Sequence, residues 1–534
     1  MTVHLLWPYA EASPKDAYRF SDANGRLTIW PTNQGKFLGI AGAWNFLLRI
    51  GHRANLHRRI RSNTIDQQDV ILLCLEERIN DGSIVQEVRD AILSGRTVIG
   101  SGNPDAWNQL LPEVFQGTAS FPDNAYAGVG YRFPGTAPKL IAPCQWSYFV
   151  FDRKPCDGLR QFGEVVNIQG ERQTPSRALI RDVPFAPAMF KWRNLLFLNA
   201  SPFNALQAWL QGQEDIGPWL NWRNRLFWLD EYVSDIRALV EQQIGQIATP
   251  GIPGLAKTNV VLRHDLDHSR DTSYLDEERR RKLPATHAVL RDRNAKYWCQ
   301  SIAQDPGHEV AFHYNTGSYS RYFNWIRRRL GRPPATYKPA RSLVTGKGLR
   351  RQVAWARRNG IGTSTLHRHL SFLIYPEWVD AMDDLTQRYP DLLGSSSLFR
   401  GQVLRWGVDR VDGGRGTLTD FPDAQFPYWF PLRLGHAGHG GRMLSGWETS
   451  SLMEVEPELV EQLLSKRTPG IPHNVFILNF HPAHANQSTL CKGGSLTSFT
   501  KILTLLQDSN CNVSTLKSLY TLLNTFIERN ERHA

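Results

Sequence analysis

The chain has 534 residues, of which 41% are apolar and 21% charged, and it carries a formal net charge of +12. That length exceeds one ordinary domain and suits two or three, and that composition is globular and excludes a disordered chain. The six cysteines (Cys74, Cys144, Cys156, Cys299, Cys491, Cys511) have no C-x-x-C or finger spacing, which argues against a disulfide framework or a zinc ribbon.

The opening stretch MTVHLLWPYAEASPKD lacks a basic n-region and a long apolar core, and no apolar run reaches membrane-span length. A cytoplasmic protein without a membrane span is therefore expected. The basic balance favours anionic partners, among them acidic glycans, lipid headgroups, nucleotide sugars and nucleic acid. No nucleic-acid module is recognisable, so nucleic acid is not expected. Basic runs at 277–282 (EERRRK) and 327–329 (RRR) read also as solvated helix faces. Seventeen tryptophans suit sugar stacking, or simply a core.

Residues 1–248 read as an α/β domain. The run 69–75 (DVILLCL) predicts a buried strand. Ser83 with Gln86 forms a capping-box pattern ahead of Ile84, Val88 and Ile92, which recur at helical spacing up to Gly95. The next strand, 97–100 (TVIG), ends in Gly100-Ser101-Gly102. This strand–helix–strand unit predicts a parallel, flavodoxin-like sheet. A strand at 194–199 and a closing helix at 229–247 follow.

The segment 69–103 resembles class I glutamine amidotransferase-like domains. Their nucleophile is a cysteine at a tight elbow after a strand, whereas the turn after Ile99 carries Ser101 and Asn103. Cys74 sits inside a strand with no His-x-Glu partner. Ser101 lacks the G-x-S-x-G elbow. A non-catalytic module is expected here, either sugar-binding or structural.

Residues 249–257 open with TPGIPG, the clearest linker in the chain. The second domain, 258–534, begins with NVVLRHDLDH at 259–268, an apolar strand delivering Asp265 and Asp267 at its C-terminal edge. Side chains two apart on a strand share a face, so these carboxylates can converge. Alone, an Asp-x-Asp reads as a loop or cap in preference to a catalytic pair. A charged helix (274–281) and a second strand (284–290) come next. The run 307–313 (GHEVAFH) is another strand, ending in His313, and it precedes a basic helix at 322–330. Strands are expected near Thr336 and Ile361, and YKPAR at 337–341 brings positive charge. The stretch 375–458 reads as a long irregular loop or lid, rich in glycine and aromatic residues. Strand 475–480 ends in His481-Pro482, and a helix (499–506) and a closing strand (513–516) follow, ahead of a last helix.

Four strand ends that hand polar groups to one rim resemble the NodB-like polysaccharide deacetylases of carbohydrate esterase family 4, in the variants opening with RHDxD. The Asp pair resembles the first motif, GHEVAFH the second, YKPAR the third and ILNFHP the last, over about half the chain. The resemblance implies a distorted (β/α)7 barrel and a metal-dependent carbohydrate N-deacetylase in surface polysaccharide or glycolipid synthesis. It implies a divalent metal, zinc by ligand type, and a carbohydrate substrate, which the basic chain would suit if anionic. Asp265 would be the general base, Asp267 and His313 metal ligands, and His481 the general acid. Lys338 or Arg341 would take the place of the third-motif arginine. Where the family has a further histidine, this chain has Gly317, and His264, His268, His287 or His484 could complete the site. His436 and His439 in HAGHGG have ligand-like spacing but read as an exposed glycine-rich loop. The alternative function is a glycan-binding scaffold with a degraded site.

Overall fold

The computed structural model describes residues 2–8, 38–53, 55–57, 59–60, 65–120, 128–132, 139–142, 148–151, 156–169, 181–199, 202–203, 206, 229–315, 317–318, 329–330, 338–339, 341–344, 346–369, 376–398, 428–429, 447–486 and 493–531. Two large sheets organise them, one built from residues before the 249–257 segment and one from residues after it.

The first sheet contains β1 (Val3–Leu6), β2 (Asn55–His57), β3 (Val70–Leu75), β4 (Val98–Gly102), β6 (Gly128–Arg132), β7 (Lys139–Ala142), β9 (Arg160–Gln169), β10 (Arg181–Trp192) and β11 (Leu195–Leu198). A small separate pair joins β5 (Gly117–Ser120) and β8 (Tyr148–Phe151). Strand order is β2-β1-β3-β4-β11-β10-β9-β6-β7. Pairings from β2 to β11 are parallel, and those from β11 to β7 are antiparallel. The expected parallel unit is thus one half of a mixed sheet. β3 is buried along its whole length, which is why it reads as a continuous apolar run.

Two local features differ from the sequence reading. The helix Gly82–Leu93 is capped by Asp81, whose carboxylate accepts from the Ser83 amide, while Gln86 donates to Asp90. The glycine-rich stretch expected to form a turn is the end of β4, and Asn103 directly after it caps the helix Pro104–Leu110. Gly102 has φ +109°, and a Cβ there would lie 2.1 Å from the Leu75 carbonyl oxygen, so only glycine fits.

The second sheet contains β12 (Thr258–Asp265), β13 (Ala285–Leu290), β14 (His308–Asn315), β17 (Thr365–His369), β18 (Gly394–Leu398), β19 (Tyr428–Trp429), β20 (Trp447–Ser450), β21 (Leu452–Met453), β22 (Asn474–Phe480) and β23 (Asn512–Ser514). A further small pair joins β15 (Gly317–Ser318) and β16 (Lys338–Pro339). The order β19-β20-β18-β17-β14-β13-β12-β22-β21 is parallel except at β19, and β23 adds to β12. β20, beside the edge strand β19, and β21, at the other edge, are separated in sequence only by Ser451. This arrangement is a curled parallel sheet compatible with the expected barrel. The stretch 375–458 is not simply a loop, since it carries the helix Pro376–Arg388 as well as β18 and β20. The expected helix at 322–330 and the strand near Thr336 lie largely outside the described residues.

Part of the 249–257 segment packs into the core. Ile252 and Leu255 are buried in the same apolar core as Val3, Leu72 and Phe526. The Ile252 amide donates to His473 Nε2 at 2.8 Å, and Arg49 donates to the His473 carbonyl. Among the described residues, no helix is long and apolar enough to cross a membrane.

Candidate active site

Alternation along β12 sorts its polar residues onto two faces. Arg263 and Asp265 point to the inner face of the curled sheet, and His264 points outward toward the helix Ser273–Arg281. The register then gathers the inner face. His313 on β14 stands directly opposite His367 on β17, and Asn479 on β22 stands opposite Arg263. All sit near the C-terminal ends of parallel strands, where the chain leaves the sheet and side chains can converge.

Asp265, His313 and His367 form one buried group, with a ligand atom from each within 4.8 Å of the others. His367 Nε2 lies 3.1 Å from Asp265 Oδ2, which also accepts from Asn479 Nδ2 at 2.9 Å. The buried Arg263 guanidinium is 3.7 Å from the same carboxylate and is held by Asn479 and Ser396. Asp267 Oδ1 is 3.5 Å from His313 Nδ1. His481 Nε2 reaches both carboxylates, at 3.5 Å from Asp265 and 3.9 Å from Asp267. Behind His481 stands Glu454, whose buried carboxylate lies 2.9 Å from His481 Nδ1 and 2.5 Å from His484 Nδ1.

The electrostatics divide the two carboxylates. Burial works to raise Asp265, but His367 and the Arg263 guanidinium beside it more than offset this and hold it well below the usual range. Burial lifts Asp267 to about 6, with His481 pulling down and Asp265 pushing up. Burial also lowers His481, yet its hydrogen bond to Glu454 and the surrounding carboxylates win and raise it to about 9. His367 is pushed to about 4, by burial and by Arg263, against the pull of Asp265.

These facts test whether the residues suit a cation. The Ser396 carbonyl next to His367 Nδ1 can only accept, so Nδ1 carries the hydrogen and Nε2 is left with its lone pair. That lone pair faces an ionised carboxylate, two acceptors 3.0 Å apart at the nearest oxygen. A proton or a cation between them removes the repulsion, and burial disfavours the extra proton. Two imidazoles and a carboxylate, with one imidazole oriented by a backbone carbonyl, form a donor set that suits zinc.

The sequence-derived residues therefore meet in part. Asp265, Asp267, His313 and His481 converge. None of the four histidines expected to complete the site joins Asp265 and His313. His264 and His287 face outward, His268 is exposed beside Asp292, and His484 pairs with Glu454. The further imidazole is His367, whose signal was another strand-like run with a histidine near its end (TSTLHRH). Arg263, Glu454 and Asn479 were likewise missed as site residues. Lys338 lies on β16, and Arg341 opens the short helix Arg341–Val344, but their side chains lie outside what is described. Gly317 pairs with Pro339 in the small β15–β16 ladder. His436 and His439 lie outside the described residues. In the first sheet, Ser101 is fully buried, and burial raises the Cys74 thiol well above its ordinary value.

No family model and no curated protein matches the chain. Three solved structures illustrate what it is similar to. One, from Bordetella bronchiseptica, is described as a polysaccharide deacetylase involved in O-antigen biosynthesis (15% identity, 51% of this chain, 90% of that chain, TM-score 0.24). Another is the chitin deacetylase of Colletotrichum lindemuthianum (13% identity, 50% of this chain, 88% of that chain, TM-score 0.26). The third is α-L-fucosidase isoenzyme 2 of Paenibacillus thiaminolyticus (16% identity, 46% of this chain, 34% of that chain, TM-score 0.27). With identities and TM-scores this low, none of these likenesses decides what the site does, which rests on its residues. The solved structures that this chain resembles include polysaccharide, peptidoglycan and chitin deacetylases.

Proposed function

We propose that the chain is a metal-dependent carbohydrate deacetylase. It would remove N-acetyl or related acyl groups from a sugar, in cytoplasmic synthesis of surface polysaccharide or glycolipid. One observation carries this reading: the buried Asp265–His313–His367 group, flanked by Asp267 and His481. A divalent ion held there, zinc by its donor set, would supply positive charge toward the acyl carbonyl and the attacking water.

The chain's own residues account for the proton movements. Asp267, raised to about 6, is ionised yet basic enough near neutrality to take a proton from water. His481, raised to about 9, is protonated at neutral pH and can give its proton to the departing amine. Water oxygen bonds to the acyl carbon, the C–N bond breaks, and acetate and the free amine result. Glu454 positions His481, and Arg263 with Asn479 holds Asp265. Lys338 or Arg341 would add positive charge at the rim.

A second reading exchanges the carboxylates, with Asp267 as ligand and Asp265 as base. The 3.5 Å separation of Asp267 from His313 favours it. Metal content by mass spectrometry beside acetate release from N-acetylated oligosaccharides tests both. A wild-type protein that holds no divalent metal in this group and releases no acetate would leave a glycan-binding scaffold in its place. For the rest of the chain we propose a non-catalytic, flavodoxin-like and amidotransferase-like domain over 1–248, joined through 249–257 to the catalytic domain at 258–534.

A further inference from the structure

The outer face of the second sheet carries a separate cluster that the proposed reaction does not use. His264 on β12, His287 on β13 and His308 on β14 are all directed toward Glu278, on the helix Ser273–Arg281. His264 and His287 are register partners on neighbouring parallel strands, and their rings stack at 5.0 Å. His264 Nε2 lies 2.6 Å from Glu278 Oε1. Glu278 Oε2 lies 3.6 Å from His287 Nε2 and 3.9 Å from His308 Nδ1, and those two nitrogens are 3.0 Å apart. Glu278 and His264 are 0% exposed and His287 is 1% exposed.

His264, Glu278 and His287 thus bring ligand atoms within 4.8 Å of one another in a buried place, and His308 stands beside them against His287. Separations between ligand atoms in a tetrahedral site with bonds of about 2.0–2.1 Å come to roughly 3.3 Å, which the 4.8 Å bound on His264, Glu278 and His287 accommodates. Among the described residues, Glu278 Oε2 accepts no hydrogen bond although it is buried, and burying a carboxylate oxygen unpaired is costly. On the far side of its ring, His308 Nε2 is 3.5 Å from Asp305, the carboxylate–histidine arrangement that orients a metal-binding imidazole.

We infer that His264, Glu278, His287 and His308 form a second divalent-metal site, structural in role. Its chemistry, three imidazoles and one carboxylate, selects zinc over magnesium or calcium. With four protein ligands and no open position it is not a catalytic site. Its effect is to pin the charged helix Ser273–Arg281 against three adjacent strands, and β12 among them ends in Asp265.

The test uses the full chain purified with zinc and counts metal by mass spectrometry. A His313→Asn/His367→Asn double variant leaves the outer cluster whole. It is expected to retain about one zinc per chain and to lose several degrees of thermal stability on chelation, because structural metal binding is coupled to folding. Glu278→Gln and His287→Asn are each expected to remove about one zinc per chain relative to wild type. X-ray absorption on the double variant should show a shell of nitrogen and oxygen dominated by imidazole. A double variant that holds no zinc, or holds it without change on Glu278→Gln, would overturn the site and leave a buried hydrogen-bonded network. A wild type that holds only the one zinc the double variant also keeps would fail the deacetylase reading and leave this one standing.

Discussion

His313 and His367 stand opposite each other on neighbouring parallel strands, their ring centres 4.7 Å apart and both facing Asp265. The pairing makes His367, which no family motif announces, a direct member of the candidate metal group. His367→Ala is expected to lower zinc affinity and acetate release by roughly 100-fold or more, since even losing an outer partner of a ligand costs about 10- to 100-fold. Metal-dependent titration of the variant is the measurement. Unchanged affinity would remove His367 from the site.

The two carboxylates separate on paired variants. If Asp265 is the ligand and Asp267 the base, Asp265→Asn should lose metal. Asp267→Asn should keep it while the rate falls by roughly 10²- to 10⁴-fold. The reverse pattern in metal content would exchange the roles.

Glu454 is expected to set the alkaline limb of the rate. As general acid, His481 must hold its proton, so activity should fall as pH rises through about 9. Glu454→Gln removes the largest upward influence, and the limb should then move down toward the ordinary value of 6.5. A kcat–pH profile reads this directly, and a structural role alone would leave the limb where it is.

Stability should weaken in acid through His52. Burial holds it at about 4 in the folded chain, against 6.5 for the ordinary group. The folded pKa is depressed, so between those values the unfolded chain binds more protons. Stability is therefore full above about 6.5 and falls as pH drops toward 4, by up to about 3 kcal/mol at 1.36 kcal/mol per unit. Denaturant unfolding between pH 7 and 5 should show a shallower loss for His52→Gln than for wild type. Equal slopes would exclude the group.

Native-state proteolysis should spare 249–257, because Ile252 is anchored in the core and bonded to His473. Ready cleavage there, giving two folded fragments, would show the segment to be an open linker instead.

What the sequence determined by itself was local. Strand β3 is apolar throughout, and β12 and β22 have apolar centres (260–262 VVL, 475–478 VFIL), because both faces are buried, and this pattern is visible without knowing any neighbour. The i, i+2 spacing of Asp265 and Asp267 and the histidines ending GHEVAFH and ILNFH were legible for the same reason. Only the tertiary structure decided what stands beside what. Strand register set His367 opposite His313, and strand alternation turned His264 and His287 away from the site they were expected to complete. It also drew Glu278 out of a run that reads as a solvated basic face, EERRRK, into full burial. Glu454 reaches His481 from β21's end across a parallel neighbour, with nothing in its own sequence to mark it. Contacts between chain segments depend on sheet order and register, which are settled by burial summed over whole strands, and no single motif carries that information.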